Sequence, residues 1–152
     1  MEKIENRKQK AFDLFTQGYC CAQAVAGAFS DLVKISEDDL LNLSCSFGAG
    51  FSGTRNLCGA VSSMGLVLGL VDKIENIKPQ DKQLVFAKVS SLAGEFQDKY
   101  GSLICAELLK GVAEKYKSFT LPVENKDGKF VRPCIIFVLE CVDLIEKYLE
   151  KQ

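Results

Sequence analysis

The segment RNLCGAVSSMGLVLGL, residues 55–70, decides how this sequence folds. Its apolar residues favour a buried helix over 58–72, and its apolar run is far shorter than the about 20 residues of a membrane span. Gly59, Gly65 and Gly69 each cost up to about 1 kcal/mol relative to alanine in a helix. Close approach by neighbouring helices would compensate for this cost. The segment therefore predicts a central, glycine-rich helix packed inside a helical protein.

Helical patterns flank this segment on both sides. They cover residues 3–17, 20–33, 36–47, 79–100, a stretch after Ser102 and the C-terminal stretch from Pro133. Gly18 and Gly101 follow two of these patterns, as expected of residues that end a helix, and Ser36 is a candidate N-cap. The sequence predicts an all-α fold, a compact bundle of about six helices in one cysteine-rich domain spanning 1–152.

Some details of this bundle can also be predicted. In the helix over 79–100, the residues expected to face inward are Leu84, Ala87, Ser91 and Gly94. The three glycines of the stretch 47–56 require a tight or left-handed passage before the central helix. Two prolines and an Asp-Gly turn break the helical pattern over 118–133, which predicts a loop or one small hairpin near 120–131.

The overall composition excludes several classes of function. Nineteen basic and 20 acidic residues leave a net charge of −1, so no cationic stripe is available for nucleic acid or for a membrane surface. The N-terminus has no signal-peptide pattern, which predicts a cytoplasmic protein without membrane insertion. Histidine is absent, and with it Cys-His nucleophile pairs and every zinc site that uses imidazole.

Seven cysteines are the most informative residues that remain. An odd number cannot pair completely within one chain, and in a reducing compartment clustered thiols indicate metal or redox chemistry. Four of them fall at the start of predicted helices, namely Cys21, Cys58, Cys105 and Cys134. A helix N-terminus lowers the pKa of a thiol and stabilises a thiolate or an anionic metal-sulfur centre. Cys45 and Cys141 are predicted to be core thiols.

The pattern of residues alone leaves the chemistry of these thiols open. They are far apart in the sequence and do not form the paired CxxC motifs of common zinc sites, so the fold would have to assemble a site. A four-thiolate centre and two disulfides are both compatible with the pattern. Free cysteine is also one of the most frequently buried residue types, so core thiols without any chemistry are a third interpretation.

Four blocks of the sequence also carry a resemblance. They are YCCAQAVAGAF, FGAGFSGTRNLCGAVSSMGLVLGL, YGSLICAELL and CIIFVLECVDLIEKYL, and over about residues 10–150 they resemble a prokaryotic family of redox-active proteins named for its C-GCAxxG-C-C cysteine pattern. The resemblance implies that the family cysteines are Cys21, Cys58, Cys105 and Cys134. This chain departs from the family at Ser63, where the pattern has glycine, and at Cys20, where asparagine is common. Cys20 is then a neutral substitution, an extra ligand or a resolving thiol for Cys21.

The expected function is redox chemistry at the four clustered cysteines, in one of two forms. They are the metal ligands of an iron-sulfur cluster in electron transfer, or they perform thiol-disulfide exchange in which Cys58 attacks and another family cysteine resolves. Arg55 and Gly59 are candidate cofactor-binding residues beside Cys58, although Arg55 would also suit an ordinary surface position.

The sequence is also compatible with a different class of function. It is a non-catalytic helical binding protein with a structural four-thiolate zinc site, or one with no metal and with core thiols only. For the redox function, a redox partner protein of unknown identity is expected, and a homodimer is one oligomeric state that the sequence allows.

Overall fold

The computed structural model of this protein describes residues 6–115 and 131–152. Within them the chain forms seven helices of more than one turn: α1 (Arg7–Thr16), α2 (Cys21–Gly27), α3 (Glu37–Cys45), α4 (Gly59–Val71), α5 (Lys82–Tyr100), α6 (Cys105–Lys115) and α7 (Ile135–Glu150). Shorter helical turns are Ser30–Leu32, Gly48–Phe51 and Pro79–Asp81. The predicted all-α fold is confirmed. The helices of the described ranges are all too short or too polar to cross a membrane.

Most helix ends lie where the sequence signals predict them. The Ser36 hydroxyl accepts a hydrogen bond from the backbone N–H of Asp39 at 3.0 Å, which starts α3. Gly18 and Gly101 have φ values of +105° and +83°, which end α1 and α5 in the left-handed region that favours glycine. The predicted hairpin near 120–131 lies, apart from residue 131, outside the described residues.

The predicted helix over 20–33 is wrong in its second half, because α2 ends at Gly27. The carbonyl of Ala28 accepts a hydrogen bond of 2.8 Å from the Arg7 guanidinium, which also pairs with Asp31 at 2.5 Å. The buried Arg7 therefore stabilises a tighter turn, Ser30–Leu32, after α2. Because Arg7 lies about 20 residues earlier in α1, a local helical pattern does not reveal this interaction.

The predicted inward face of α5 is also wrong. Leu84 is 54% exposed and Ala87 and Ser91 are exposed, whereas the buried residues of this helix are Leu92 and Phe96. The Phe96 ring packs 5.7 Å from Phe137 and 4.9 Å from Tyr100, measured between ring centroids. The fully buried residues of α5 therefore lie in its second half, which makes aromatic contacts with α7, while Val89 in the first half is partly buried against the core.

The glycine-rich helix α4 is central, as predicted. Val61, Met64 and Val67 are at most 4% exposed, and α4 packs against α2, α5 and α7. The expectation that every glycine in it marks a close helix contact is wrong, however. A Cβ added at Gly65 would make an ordinary contact at 3.7 Å, and one at Gly69 would meet nothing within 4 Å. Only the glycine at the very start of α4 is sterically required.

Candidate functional site

The four cysteines singled out in the sequence lie at four helix N-termini. Cys21 and Cys105 are the first residues of α2 and α6. Cys58 and Cys134 are the residues immediately before α4 and α7. All seven cysteines of the chain are free thiols in this structure. The predicted placement of these four thiols at helix starts therefore agrees with the observed helix boundaries.

A cavity of about 100 Å³ lies where these helix starts meet. Its wall consists of five cysteines, two arginines, one glycine and five apolar residues. These residues are Cys20, Cys21, Cys58, Cys105, Cys134, Arg55, Arg132, Gly59, Phe15, Ala49, Leu108, Leu109 and Phe137. The fold thus brings together thiols that are separated by long stretches of sequence, and it surrounds them with apolar side chains.

A short backbone pairing joins the starts of α4 and α6. Leu57 and Ile104 form an antiparallel bridge. The N–H of Cys58 donates to the carbonyl of Leu103 at 2.8 Å, and the N–H of Cys105 donates to the carbonyl of Asn56 at 2.6 Å. These backbone hydrogen bonds hold Cys58 and Cys105, two of the cavity cysteines, next to each other.

Two glycines allow the start of α2 to approach the start of α4. A Cβ on Gly59 would lie 2.6 Å from the Cys21 sulfur and 2.6 Å from the carbonyl oxygen of Phe47. A Cβ on Gly48 would lie 2.5 Å from the Cys20 sulfur. All three distances are shorter than Cβ contacts normally are, so glycine is required at both positions for this packing of Cys20 and Cys21. Gly59, predicted as a cofactor-binding residue, lies in the cavity wall.

The glycine-rich loop before α4 folds back on itself and carries Arg55. Ala49 and Gly50 have φ values of 55° and 67°, and the N–H of Asn56 donates to the carbonyl of Gly50 at 2.8 Å. Arg55 itself has φ 61°. Its guanidinium Nη1 lies 3.7 Å from the sulfur of Cys105. The arginine that precedes Cys58 in the sequence therefore contacts a different cysteine.

Burial controls the protonation of two cavity thiols. It raises the pKa of Cys58 to about 12, against the opposing effect of the backbone N–H groups of Val61 and Ala60. It also raises the pKa of Cys134 to about 11, although the charge of Arg132 acts in the opposite direction. Desolvation therefore outweighs the helix N-terminus at both positions. The expected lowering of thiol pKa at helix starts is wrong for these two cysteines, which are protonated near neutral pH.

The three remaining cysteines differ from one another. Cys141 is fully buried, as predicted for a core thiol. The same prediction is wrong for Cys45, which is the last residue of α3 and is exposed, while the same helix buries Leu40 and Ser44. Cys20 is half-buried in the cavity wall, and its sulfur lies 3.6 Å from the carbonyl oxygen of Cys45.

The cavity thiols surround a space and do not converge on one point. Among residues 6–115 and 131–152, no group of three or more cysteine, aspartate or glutamate side chains is close enough together to hold a single metal ion. A ligand bound by all four helix-start cysteines would therefore have to extend across the cavity.

Comparison with known proteins identifies the family. The profile of the family described as "Putative redox-active protein (C_GCAxxG_C_C)" matches residues 19–148. The chain belongs to this family. A protein of Archaeoglobus fulgidus described as uncharacterized is 28% identical over 118 residues, which cover 71% of this chain and 77% of that protein. No solved structure matches the chain.

The structure shows the role of Ser63 in this C-GCAxxG-C-C protein, at the position where the resemblance implies glycine. The Ser63 side chain is fully buried, and its hydroxyl donates a 2.8 Å hydrogen bond to the carbonyl of Ala22. This bond connects α4 to the first turn of α2, one residue after Cys21. No local signal pairs residues 22 and 63, so the sequence does not predict this contact.

Proposed function

We propose that this protein binds an iron-sulfur cluster through the thiolates of Cys21, Cys58, Cys105 and Cys134 and functions in electron transfer with a redox partner protein. The observation that carries the proposal is the shared cavity: one thiol from each of four helix starts lies in its wall. The family to which the chain belongs is described as redox-active, which agrees with this type of function.

The donor set favours a cluster over a single metal ion. Four cysteine thiolates are the usual ligands of iron-sulfur clusters, which undergo one-electron reduction and oxidation when bound. A structural zinc site would require four sulfur atoms at about 2.3 Å from one ion. In the part of the chain that the structure describes, the thiols are not grouped in that way. A cluster distributes its ligands over several iron atoms, so thiols placed around a cavity suit it better.

The charges around the cavity also suit an anionic group. Arg55 and Arg132 both line it, and four helix N-termini meet there. Positive charges and helix N-termini stabilise the more negative, reduced state of a thiolate-ligated centre. The apolar side chains of the wall, such as Phe15 and Phe137, limit access of water. These residues would therefore hold and tune a redox centre without taking part in bond making.

Thiol-disulfide exchange is the second candidate, and one contact favours it. Arg55 lies against Cys105, which is half-buried and therefore more accessible than Cys58. In this scheme the Cys105 thiolate attacks a disulfide of a partner and displaces one thiolate from it. A second cavity cysteine then attacks the mixed disulfide and releases the other. Cys58, buried and with a pKa of about 12, is poorly suited to the attacking role expected of it from the sequence.

The deciding experiment measures iron, acid-labile sulfide and the visible spectrum of protein purified without oxygen. Cys58→Ser removes a cavity thiol, and Cys45→Ser is the matched control because Cys45 is not among the residues of the cavity wall. We expect iron and sulfide in the wild type and the control, with absorption that bleaches on reduction, and loss of both in Cys58→Ser. Zinc without sulfide would support the structural alternative. A metal-free protein whose disulfide reductase activity requires Cys105 would support the second candidate.

A further inference from the structure

We infer that Cys20 and Cys45 form a second redox site, a reversible disulfide pair that joins the start of α2 to the end of α3. Neither residue belongs to the four-cysteine pattern of the family, and the proposal does not depend on what the cavity binds. The pair would react with low-molecular-weight disulfides, such as oxidised glutathione, that reach the protein surface at Cys45.

The backbone already places these two residues beside each other. The Cys20 sulfur lies 3.6 Å from the main-chain carbonyl oxygen of Cys45. On its other side, Cys20 packs against the α-carbon of Gly48, where even one added methyl carbon would lie 2.5 Å from the sulfur. The Cys20 sulfur is thus confined between Gly48 and the last turn of α3. The proposal requires the Cys45 side chain, which is exposed at the end of α3, to turn toward Cys20 when the disulfide forms.

The neighbouring thiol Cys21 has a different environment. Its sulfur packs against Gly59 at the start of α4, whereas the Cys20 sulfur packs against Gly48. The two adjacent cysteines therefore contact different parts of the fold. Of these two adjacent thiols, Cys20 is the one in contact with the Cys45 backbone.

The difference in exposure sets the order of the reaction. Cys45 is exposed, and Cys20 is half-buried between Cys45 and the cavity. The Cys45 thiolate attacks one sulfur of the external disulfide, whose S–S bond breaks and releases one thiolate. The Cys20 thiolate then attacks the Cys45 sulfur of this mixed disulfide and releases the second thiolate. Two protein thiols are oxidised by two electrons in total, and the external disulfide is reduced to two thiols.

The test treats reduced, anaerobically purified protein with oxidised glutathione, blocks the remaining thiols with N-ethylmaleimide and maps the tryptic peptides by mass. Cleavage after lysine and arginine gives the peptides 11–34, which contains both Cys20 and Cys21, and 35–55, which contains Cys45 as its one cysteine. We expect these two peptides to be crosslinked in the wild type and separated again by dithiothreitol.

Matched variants assign the crosslink to one of the adjacent thiols. Cys21→Ser should keep the crosslink, and Cys20→Ser should lose it and instead retain glutathione on Cys45. Circular dichroism checks that each variant is folded, and Cys21→Ala replaces Cys21→Ser if the latter is not. Absence of the crosslink in wild type, or its persistence in Cys20→Ser, would overturn the inference. Iron content measured on Cys45→Ser separates this result from failure of the proposed cluster, because that variant should lose the crosslink and keep the iron.

Discussion

Replacing Gly59 with alanine tests whether the helix starts around the cavity are as tightly packed as the structure indicates. The new methyl carbon would lie 2.6 Å from the Cys21 sulfur, 2.6 Å from the Phe47 carbonyl oxygen and 3.1 Å from the α-carbon of Gly48. Two of these three atoms belong to the backbone, so a change of side-chain rotamer cannot relieve the conflict. The start of α4 must move away from α2, and Cys21 must move with respect to the cavity.

The expected cost follows from two opposing effects. Overpacking of a buried contact destabilises a protein by about 1–3 kcal/mol. Alanine stabilises a helix by up to about 1 kcal/mol relative to glycine, and less in the first turn, where Gly59 lies. We therefore expect Gly59→Ala to lower the free energy of unfolding by about 1–2 kcal/mol, which corresponds to a Tm lower by several degrees for a domain of this size.

Gly69→Ala is the matched control for this measurement. Gly69 lies in the same helix and is exposed, and an added Cβ would meet no atom within 4 Å. The control should be up to about 1 kcal/mol more stable than wild type. Urea denaturation gives both values, and, if the proposed cluster is present, the iron content of anaerobically purified protein reports whether Cys21 still binds it. The packing argument is refuted if Gly59→Ala is as stable as Gly69→Ala.

Four further outcomes are expected. Ser63→Ala should lower the free energy of unfolding by about 1 kcal/mol in urea, because it removes the buried bond to the Ala22 carbonyl; an unchanged midpoint would contradict this. Arg7→Ala should lower the free energy of unfolding by about 3 kcal/mol, because it removes the guanidinium from the buried ion pair with Asp31; thermal unfolding measures this change. Arg55→Met should slow alkylation of Cys105 by iodoacetamide while the rate at Cys45 stays the same; equal slowing at both would argue against a specific effect of the Arg55 contact. The metal-free protein should become less stable as the pH rises above 9, because the thiols of Cys58 and Cys134 have pKa values of about 12 and about 11 in the folded protein and 9.0 in the unfolded chain. The free energy of unfolding should fall by at most about 1.4 kcal/mol per pH unit for each thiol. A free energy of unfolding that stays constant from pH 8 to 11 would contradict the raised pKa values.

Several features of this protein are determined by the sequence alone, because they depend on residues close to one another in the chain. The cap at Ser36 and the left-handed stops at Gly18 and Gly101 involve at most a few neighbouring residues. The helix-start positions of Cys21, Cys58, Cys105 and Cys134 follow from the same short signals. The four-cysteine pattern is also recognisable as a family signature from the order of the residues.

Other features are decided only by the tertiary structure. The end of α2 depends on Arg7 from α1, and the contact of Arg55 with Cys105 depends on a loop that reverses direction before α4. The exposure of Cys45 and of Leu84 depends on which helix covers them, which an amphipathic pattern does not specify. The raised pKa of Cys58 also depends on tertiary packing. A helix N-terminus is a local property that favours the thiolate, whereas desolvation comes from every element packed around the sulfur, and here the packing has the larger effect.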